Sequence, residues 1–197
     1  MRVAAPVLGL YEEIVAWVNP RVAATRDLTA PTPCLEWNVS ALLSHMLAGV
    51  RFFELMGRDG RVDPSQLGPP PDFQAQSPSD YFRSATDANI AAWSAPGRLE
   101  QTCQMPFGPM PGRTALGIHA ADLLIHGWDL AAATQQMTTI DARLASFALD
   151  VEHALITEEM RGPDRAFGRE VAVGEAASSQ ERLLAFVGRS QPETPTL

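Results

Sequence analysis

The sequence predicts an all-α protein: a bundle of amphipathic helices with one long loop and a short C-terminal appendage. Over several long segments, apolar residues recur at intervals of three and four, which is the spacing of a helix with one buried face. Clusters of proline and glycine separate those segments and mark the connections. Hydrophobic residues make up 46% of the 197 residues and charged residues only 19%, so the chain can bury a core.

The first two predicted helices are separated by a break that contains two prolines within six residues. The first runs from about Pro6 to Val22, where apolar residues repeat with helical spacing. Asn38 or Ser40 can cap the second, because short polar side chains accept the free backbone N–H groups of a first turn. We predict this second helix from about Val39 to Met56, with its end near Gly57.

A long loop follows from Arg58 to Pro78, since this stretch is rich in glycine, proline and aspartate. A loop of this length suggests a lid or a pocket wall. Ser79 and Asp80 open a third helix, and Pro96 with Gly97 closes it.

The second half of the chain contains two further long helices. A short extended piece is predicted from Leu99 to Met105, followed by a turn-rich connector from Pro106 to Gly112. The fourth helix, about Thr114 to Thr134, is apolar on most of its surface, so we expect other elements to pack on several of its sides. The fifth runs from about Asp141 to Met160.

The tail is predicted to hold one short extended stretch, Glu170 to Val173, and one short helix, Ser179 to Gly188. We therefore expect a single domain over residues 1–197, with its core at about 6–160 and the appendage at about 161–197.

Composition excludes several classes of partner. The net charge is -8, and all 15 basic residues are arginines, so the chain repels phosphate backbones and anionic lipid. We expect a small-molecule substrate, no nucleic acid or membrane partner, and a monomer or homodimer. The two cysteines form no C-x-x-C pair, no signal peptide opens the chain, and we find no apolar run long enough to cross a bilayer. These features predict a reduced, cytoplasmic protein.

The fourth helix carries several polar side chains within an otherwise apolar sequence, where burying them costs free energy unless they are paired. At about 100° per residue, His119, Asp122 and His126 share one face. Two imidazoles with a carboxylate suit Zn²⁺, Fe²⁺ or Ni²⁺, and the spacing Asp-x-x-x-His lets one helix supply two ligands. A further ligand must come from another helix, and His45, embedded among apolar residues of the second helix, is the natural candidate. The alternative is that these are core histidines bonded to backbone carbonyls.

Other residues near this pattern allow two interpretations each. His119 can be a fourth ligand, a base or a pocket-lining residue. Asp129 can accept the free imidazole N–H of a metal-bound histidine, or it can form a salt bridge to another element. Cys34, just before a helix, can be reactive, although burial fits it better. Trp37 and Trp128 fit the core better than a substrate site.

Two segments resemble a known family. The run Cys34-Leu-Glu-Trp-Asn-Val-Ser-Ala-Leu-Leu-Ser-His45 and the run Asp122-Leu-Leu-Ile-His-Gly-Trp-Asp-Leu-Ala131 are similar to the mycothiol-dependent maleylpyruvate isomerase-like, metal-binding branch of the DinB superfamily. Pro106-Phe-Gly108, Phe167-Gly168 and Arg182-Leu-Leu-Ala-Phe-Val-Gly-Arg189 agree with it as well.

The resemblance implies a DinB-like four-helix bundle whose metal is held by a histidine of the second helix and an acid-x-x-x-His pair of a later helix. These map to His45, Asp122 and His126, with Asp122 standing where many relatives have Glu. The isomerase proper has an additional C-terminal domain, for which 197 residues leave no room. We therefore expect a reaction other than maleylpyruvate isomerisation.

The function that follows from the resemblance is a metal-dependent enzyme that transfers a thiol to, or isomerises, a small electrophilic metabolite. Its cofactors would be a divalent metal, with zinc ahead of nickel or iron, and mycothiol as the thiol. The catalytic groups would be His45, Asp122 and His126 through the metal, with His119 as a candidate base. One alternative is an isomerase, cyclase or lyase of a specialised metabolite that uses the metal without a thiol. The other is a non-enzymatic module that binds a metal or small ligand.

Overall fold

The computed structural model describes residues 7–34, 37–73, 75–162 and 167–189, and these residues form six α-helices and one two-stranded sheet. The helices are α1 (Val7–Ala24), α2 (Val39–Asp59), α3 (Pro78–Ser94), α4 (Gly112–Ala133), α5 (Ala142–Leu155) and α6 (Ser179–Phe186). The strands are β1 (Thr102–Met105) and β2 (Gly108–Pro111), paired antiparallel. Single turns of 3-10 helix lie at Pro64–Gln66 and Glu158–Met160. The predicted all-α class is confirmed.

The chain divides into two compact units, Met1–Gln136 and Met137–Leu197. The first contains α1 to α4 and the β-hairpin. The second contains α5 and α6, which pack on each other. Within this second unit, Gln180 accepts from the backbone N–H of Ile140 at 2.8 Å and donates to the Thr138 carbonyl at 3.1 Å. A single domain with a core ending near residue 160 stays a prediction.

In the first unit, α1 and α2 each pack against both α3 and α4, which makes a four-helix bundle. Contacts between α1 and α4 follow the same order along both helices. Near the start of α1, Tyr11 bonds His119. Seven residues later, Val18 lies against Gly127. Helices α1 and α4 therefore run in the same direction.

Helices α2 and α3 also run in the same direction. Asn89 of α3 donates to the Val50 carbonyl of α2 at 2.6 Å. Four residues further along α3, Trp93 packs on Gly57 of α2. The segment between these two helices must therefore return along the length of α2.

Helix α2 runs opposite to α4, since His45 lies near Asp122 and Gly49, four residues later, lies near His119. The order of the four helices is therefore up, down, down, up.

Capping explains where α2 and α3 begin. The Asn38 side chain accepts from the backbone N–H of Ala41, and Ser77 accepts from that of Asp80. The predicted end of α2 near Gly57 is wrong, because this glycine serves packing: a Cβ there would stand 2.8 Å from the Trp93 ring. The helix ends instead at Gly60, whose φ of 69° is the left-handed conformation that glycine adopts without strain.

Two other local predictions differ from the structure. The connector from Pro106 to Gly112 is not only turns, since Gly108–Pro111 pairs with β1 as β2. Helix α5 ends at Leu155, since Ile156 already has extended backbone. The extended stretch at 170–173 stays a prediction; within it, Val171 donates to the Ala185 carbonyl of α6.

Helix α2 is long and apolar enough to cross a membrane by length and composition, contrary to the expectation from the sequence. The helix packs against α3 and α4 in the bundle, however, and its buried residues lie on that packed face. A core helix of a bundle passes the same test of length and composition.

Candidate metal centre

The structure brings the three sequence-predicted ligands together between α2 and α4. His126 Nε2 lies 3.4 Å from Asp122 Oδ1, and His45 Nε2 lies 4.0 Å from the same oxygen. One ligand atom from each residue lies within 4.8 Å of the others. A tetrahedral ion with bonds of about 2 Å separates its ligands by about 3.3 Å, so this donor set fits a metal ion after a small movement of His45.

One side of the cluster faces solvent. The side chains of His45 and Asp122 are each 41% exposed, whereas the His126 residue is only 9% exposed. An ion bound here would keep access to molecules from solution. That is the arrangement of catalytic metal sites, which leave a position open, rather than of closed structural ones.

The other edge of the His126 ring is held inside the protein. Its Nδ1 lies 3.0 Å from Oδ2 of Asp129, a residue with no solvent exposure. Cys34 Sγ donates to the same carboxylate oxygen at 3.0 Å. A carboxylate only accepts hydrogen bonds, so Nδ1 carries the proton and, in the neutral ring, the lone pair of Nε2 points toward Asp122 and His45.

The charges of the cluster favour a cation. Burial by itself would raise the pKa of Asp122, but the positive charge of His126 and hydrogen bonds from both histidines hold that pKa below its usual range. Burial would likewise lower the pKa of His126, but the Asp122 charge, the hydrogen bonds that the ring donates to Asp122 and Asp129, and a hydrogen bond with Cys34 place it well above its usual range. The site therefore holds one positive charge beside Asp122 even without a metal, and a divalent cation can take the place of that proton.

His119 does not join the ligand cluster. Its Nε2 lies 3.2 Å from the Tyr11 hydroxyl, and its ring stacks on Phe53 with centroids 4.6 Å apart. Its Nδ1 has no hydrogen-bond partner among the described residues. Burial lowers the pKa of His119 to about 4, so the ring is neutral at pH 7. Among the described residues, two trios have the spacing of metal ligands, and neither includes His119.

Two residues of the α1–α2 connection, Trp37 and Cys34, lie against the candidate ligands, although the sequence favours burial in the core for both. Trp37 lies beside both ligand imidazoles, with ring centroids 4.7 Å from His45 and 5.9 Å from His126. Cys34 lies 3.7 Å from His126 Nδ1. One feature of the sequence could have placed both residues at the site, since they belong to the same family-like run, Cys34 to His45. Trp128, by contrast, is fully buried, as expected.

In the described part of the chain, neither the long loop nor the hairpin forms a wall of the His45 cluster. Ten residues separate Asp122 from Gly112, where the hairpin joins α4, so about 15 Å of helix lies between the hairpin and the ligands. A cavity of about 270 Å³ does lie between α2 and the long loop, and its lining includes Arg51, Arg58 and Gln66. None of the three ligands lines this cavity. The part of the chain seen beside the ligands is instead the α1–α2 connection.

Fold and site together define a four-helix-bundle protein with a candidate His-Asp-His metal centre. Residues 12–131 match the family described as mycothiol maleylpyruvate isomerase N-terminal domain. The chain belongs to this family.

Two similar proteins of Mycobacterium tuberculosis, from strains CDC 1551 / Oshkosh and ATCC 25618 / H37Rv, are described as uncharacterized proteins. Each is 34% identical over 164 residues, which is 83% of this chain and 86% of theirs. The crystal structure of the mycothiol-dependent maleylpyruvate isomerase matches with a TM-score of 0.54 at 12% identity. The match covers 71% of this chain and 65% of that one, so it shows the bundle fold.

Proposed function

We propose that this protein is a metal-dependent enzyme that transfers a thiol to, or isomerises, a small electrophilic metabolite. The observation that carries the proposal is the solvent-facing cluster of His45, Asp122 and His126, whose central histidine is fixed by a buried carboxylate. Mycothiol is the thiol named for the family and for the solved relative. We propose a cytoplasmic location, where small thiols are kept reduced.

Each residue of the site has a separate proposed role. His45 Nε2, Asp122 Oδ1 and His126 Nε2 would hold a divalent ion. Imidazole and carboxylate donors suit zinc, nickel and iron, and zinc is the first candidate. Such an ion with an open position lowers the pKa of a bound thiol or water and polarises a carbonyl. Asp129 holds the His126 ring in place through Nδ1, and Trp37 gives the site an apolar wall.

His119 is the proposed base. Its ring is neutral at pH 7, because burial lowers its pKa to about 4. The Tyr11 hydroxyl and the Phe53 ring fix its orientation. Its Nδ1 and Asp122 Oδ2 each lie about 4.0 Å from the point where Gly49 would carry a Cβ, so the missing side chain leaves space beside both. A group that approaches Asp122 from this side can exchange a proton with His119.

Cobalt substitution tests thiol activation directly. We expect the Co²⁺ protein to develop a sulfur-to-cobalt charge-transfer band in the near ultraviolet when mycothiol is added. The Cys34→Ser variant is the necessary control, because Cys34 Sγ is a sulfur 3.7 Å from a ligand imidazole. In that variant any band must come from the added thiol. If no band appears at saturating mycothiol while cobalt stays bound, thiol activation is excluded.

A further inference from the structure

A second group of metal-ligand atoms lies on the inner edge of the His126 ring. Cys34 Sγ lies 3.0 Å from Asp129 Oδ2 and 3.7 Å from His126 Nδ1, and that nitrogen lies 3.0 Å from the same oxygen. The longest of these separations, 3.7 Å, is shorter than the 4.0 Å between His45 Nε2 and Asp122 Oδ1 in the first cluster. A tetrahedral ion would space a sulfur and two lighter ligands by about 3.3 to 3.5 Å.

The donor types of this second trio differ from those of the first. A thiolate is a soft ligand, and combined with an imidazole and a carboxylate it favours thiophilic divalent cations. Asp129 is fully buried and adds a negative charge that an entering cation would neutralise. Cys34 is only partly buried, so the trio can be reached from the α1–α2 connection.

We propose that Cys34, His126 and Asp129 form a second metal site that takes a thiophilic divalent cation and competes with the His45 cluster for His126. The shared residue makes the two sites alternatives. A neutral imidazole has one lone pair, so His126 can bind through Nε2 to the first site or through Nδ1 to the second. A cation in the second site would therefore take a ligand from the proposed active centre.

Binding of a cation at the second site displaces protons from Cys34 and His126. The Cys34 S–H bond breaks, its proton goes to solvent, and a sulfur–metal bond forms. In the metal-free protein both ring nitrogens of His126 carry a proton. The Nδ1 proton leaves to solvent and a nitrogen–metal bond forms there, while Nε2 keeps its proton, 3.4 Å from Asp122 Oδ1. Two protons are therefore released for each cation bound.

Cadmium titration of the metal-free full-length protein tests the site, because a Cd²⁺–thiolate bond absorbs in the ultraviolet. We expect a band that saturates at about one equivalent in the wild type and persists in His45→Ala, which lacks only a ligand of the first site. Cys34→Ser should lose the band, while its hydroxyl can still donate to Asp129. Cys103→Ala is the matched control: its thiol is buried, 3.9 Å from the Met56 carbonyl, and its removal should change nothing.

The absence of a band in the wild type would overturn the second site, as would a band that survives Cys34→Ser. Competition is tested on the cobalt-loaded protein, where Cd²⁺ should displace cobalt at a lower concentration in the wild type than in Cys34→Ser. Equal displacement would overturn the competition. These experiments need no mycothiol, so their failure leaves the proposed thiol transfer untouched, and failure of the mycothiol band leaves the second site untouched.

Discussion

At the scale of single residues, the chemistry of the site depends on the two nitrogens of His126. Its Nε2 faces Asp122 and its Nδ1 faces Asp129, so the ring lies between two carboxylates. The outer carboxylate is partly exposed and the inner one is fully buried. This asymmetry supports the proposal that, in the His45 cluster, Asp122 binds the metal and Asp129 holds the ring.

Asp129→Asn is expected to lower zinc affinity by roughly 10- to 100-fold, the usual effect of losing a carboxylate behind a metal-bound histidine. A neutral amide is a weaker acceptor for Nδ1–H, so His126 loses part of its orientation and basicity. Competition against a chromophoric chelator measures the affinity, and circular dichroism confirms that the variant is folded. Asp87→Asn, at an exposed position of α3, is the control. Equal affinities for Asp129→Asn and the wild type would contradict the assignment.

His119 should make the protein sensitive to acid. Burial lowers its pKa from the ordinary 6.5 to about 4, so between these values the unfolded chain binds a proton that the folded protein does not. The contribution of neutral His119 to the free energy of unfolding is complete above about pH 6.5 and is lost as the pH falls toward 4. This contribution is about 3 kcal/mol.

Urea unfolding at a series of pH values tests this acid sensitivity. Over that range the wild type should lose about 3 kcal/mol more than His119→Gln, which does not titrate. Parallel curves for the two proteins would show that His119 is not held neutral by burial.

The sequence predicts some site residues better than others. His45, Asp122 and His126 are visible because they interrupt apolar helical faces at regular spacing. Trp37 and Cys34 lie in an irregular connection, where no periodicity fixes the direction of a side chain. Their contacts with the histidines depend on how α1 joins α2, which is a tertiary feature.

Among the helices, α4 is the most deeply buried: 16 of its 22 residues are buried. Because α4 has no continuous polar face, apolar periodicity does not identify it as a helix. The length and apolar content of the segment predict the helix instead. The hairpin was harder to predict. The sequence of β2, Gly-Pro-Met-Pro, has the composition of a turn, and pairing with β1 fixes it as a strand.

Gly127→Ala is expected to destabilise the bundle. A Cβ at this position would stand 2.7 Å from Val18 Cγ2 and 3.0 Å from the Trp17 ring, so α1 and α4 would have to separate. Overpacking of this kind costs about 1 to 3 kcal/mol, which meets or exceeds the gain of about 1 kcal/mol from replacing a helical glycine. Chemical denaturation measures the free energy of unfolding.

Gly9→Ala is the matched control, since a Cβ at this α1 position would meet no atom within 4 Å. It should be neutral or stabilising by up to about 1 kcal/mol. If Gly127→Ala proved as stable as Gly9→Ala, the close approach of α1 and α4 would be refuted.

At the scale of the whole molecule, the direction of the helices places the site. Because α2 runs opposite to α4, His45 near the start of α2 meets the half of α4 that carries Asp122 and His126. Val18, in the second half of α1, lies beside Gly127, so α1 ends at the same end of the bundle as α4. The connection that leaves α1 brings Trp37 and Cys34 to the site. The sequence predicted the four helices, but their order in space follows from contacts between distant residues.

Elemental analysis of the purified protein tests whether the His45 cluster binds a metal ion. We expect about one transition-metal ion per chain in protein made in metal-replete medium without chelator, because three converging ligands bind one ion. His126→Ala should lose that ion and His119→Ala should retain it, since only His126 supplies a ligand atom to the cluster. The proposed metal centre is refuted if the wild type contains no stoichiometric metal and titration restores none.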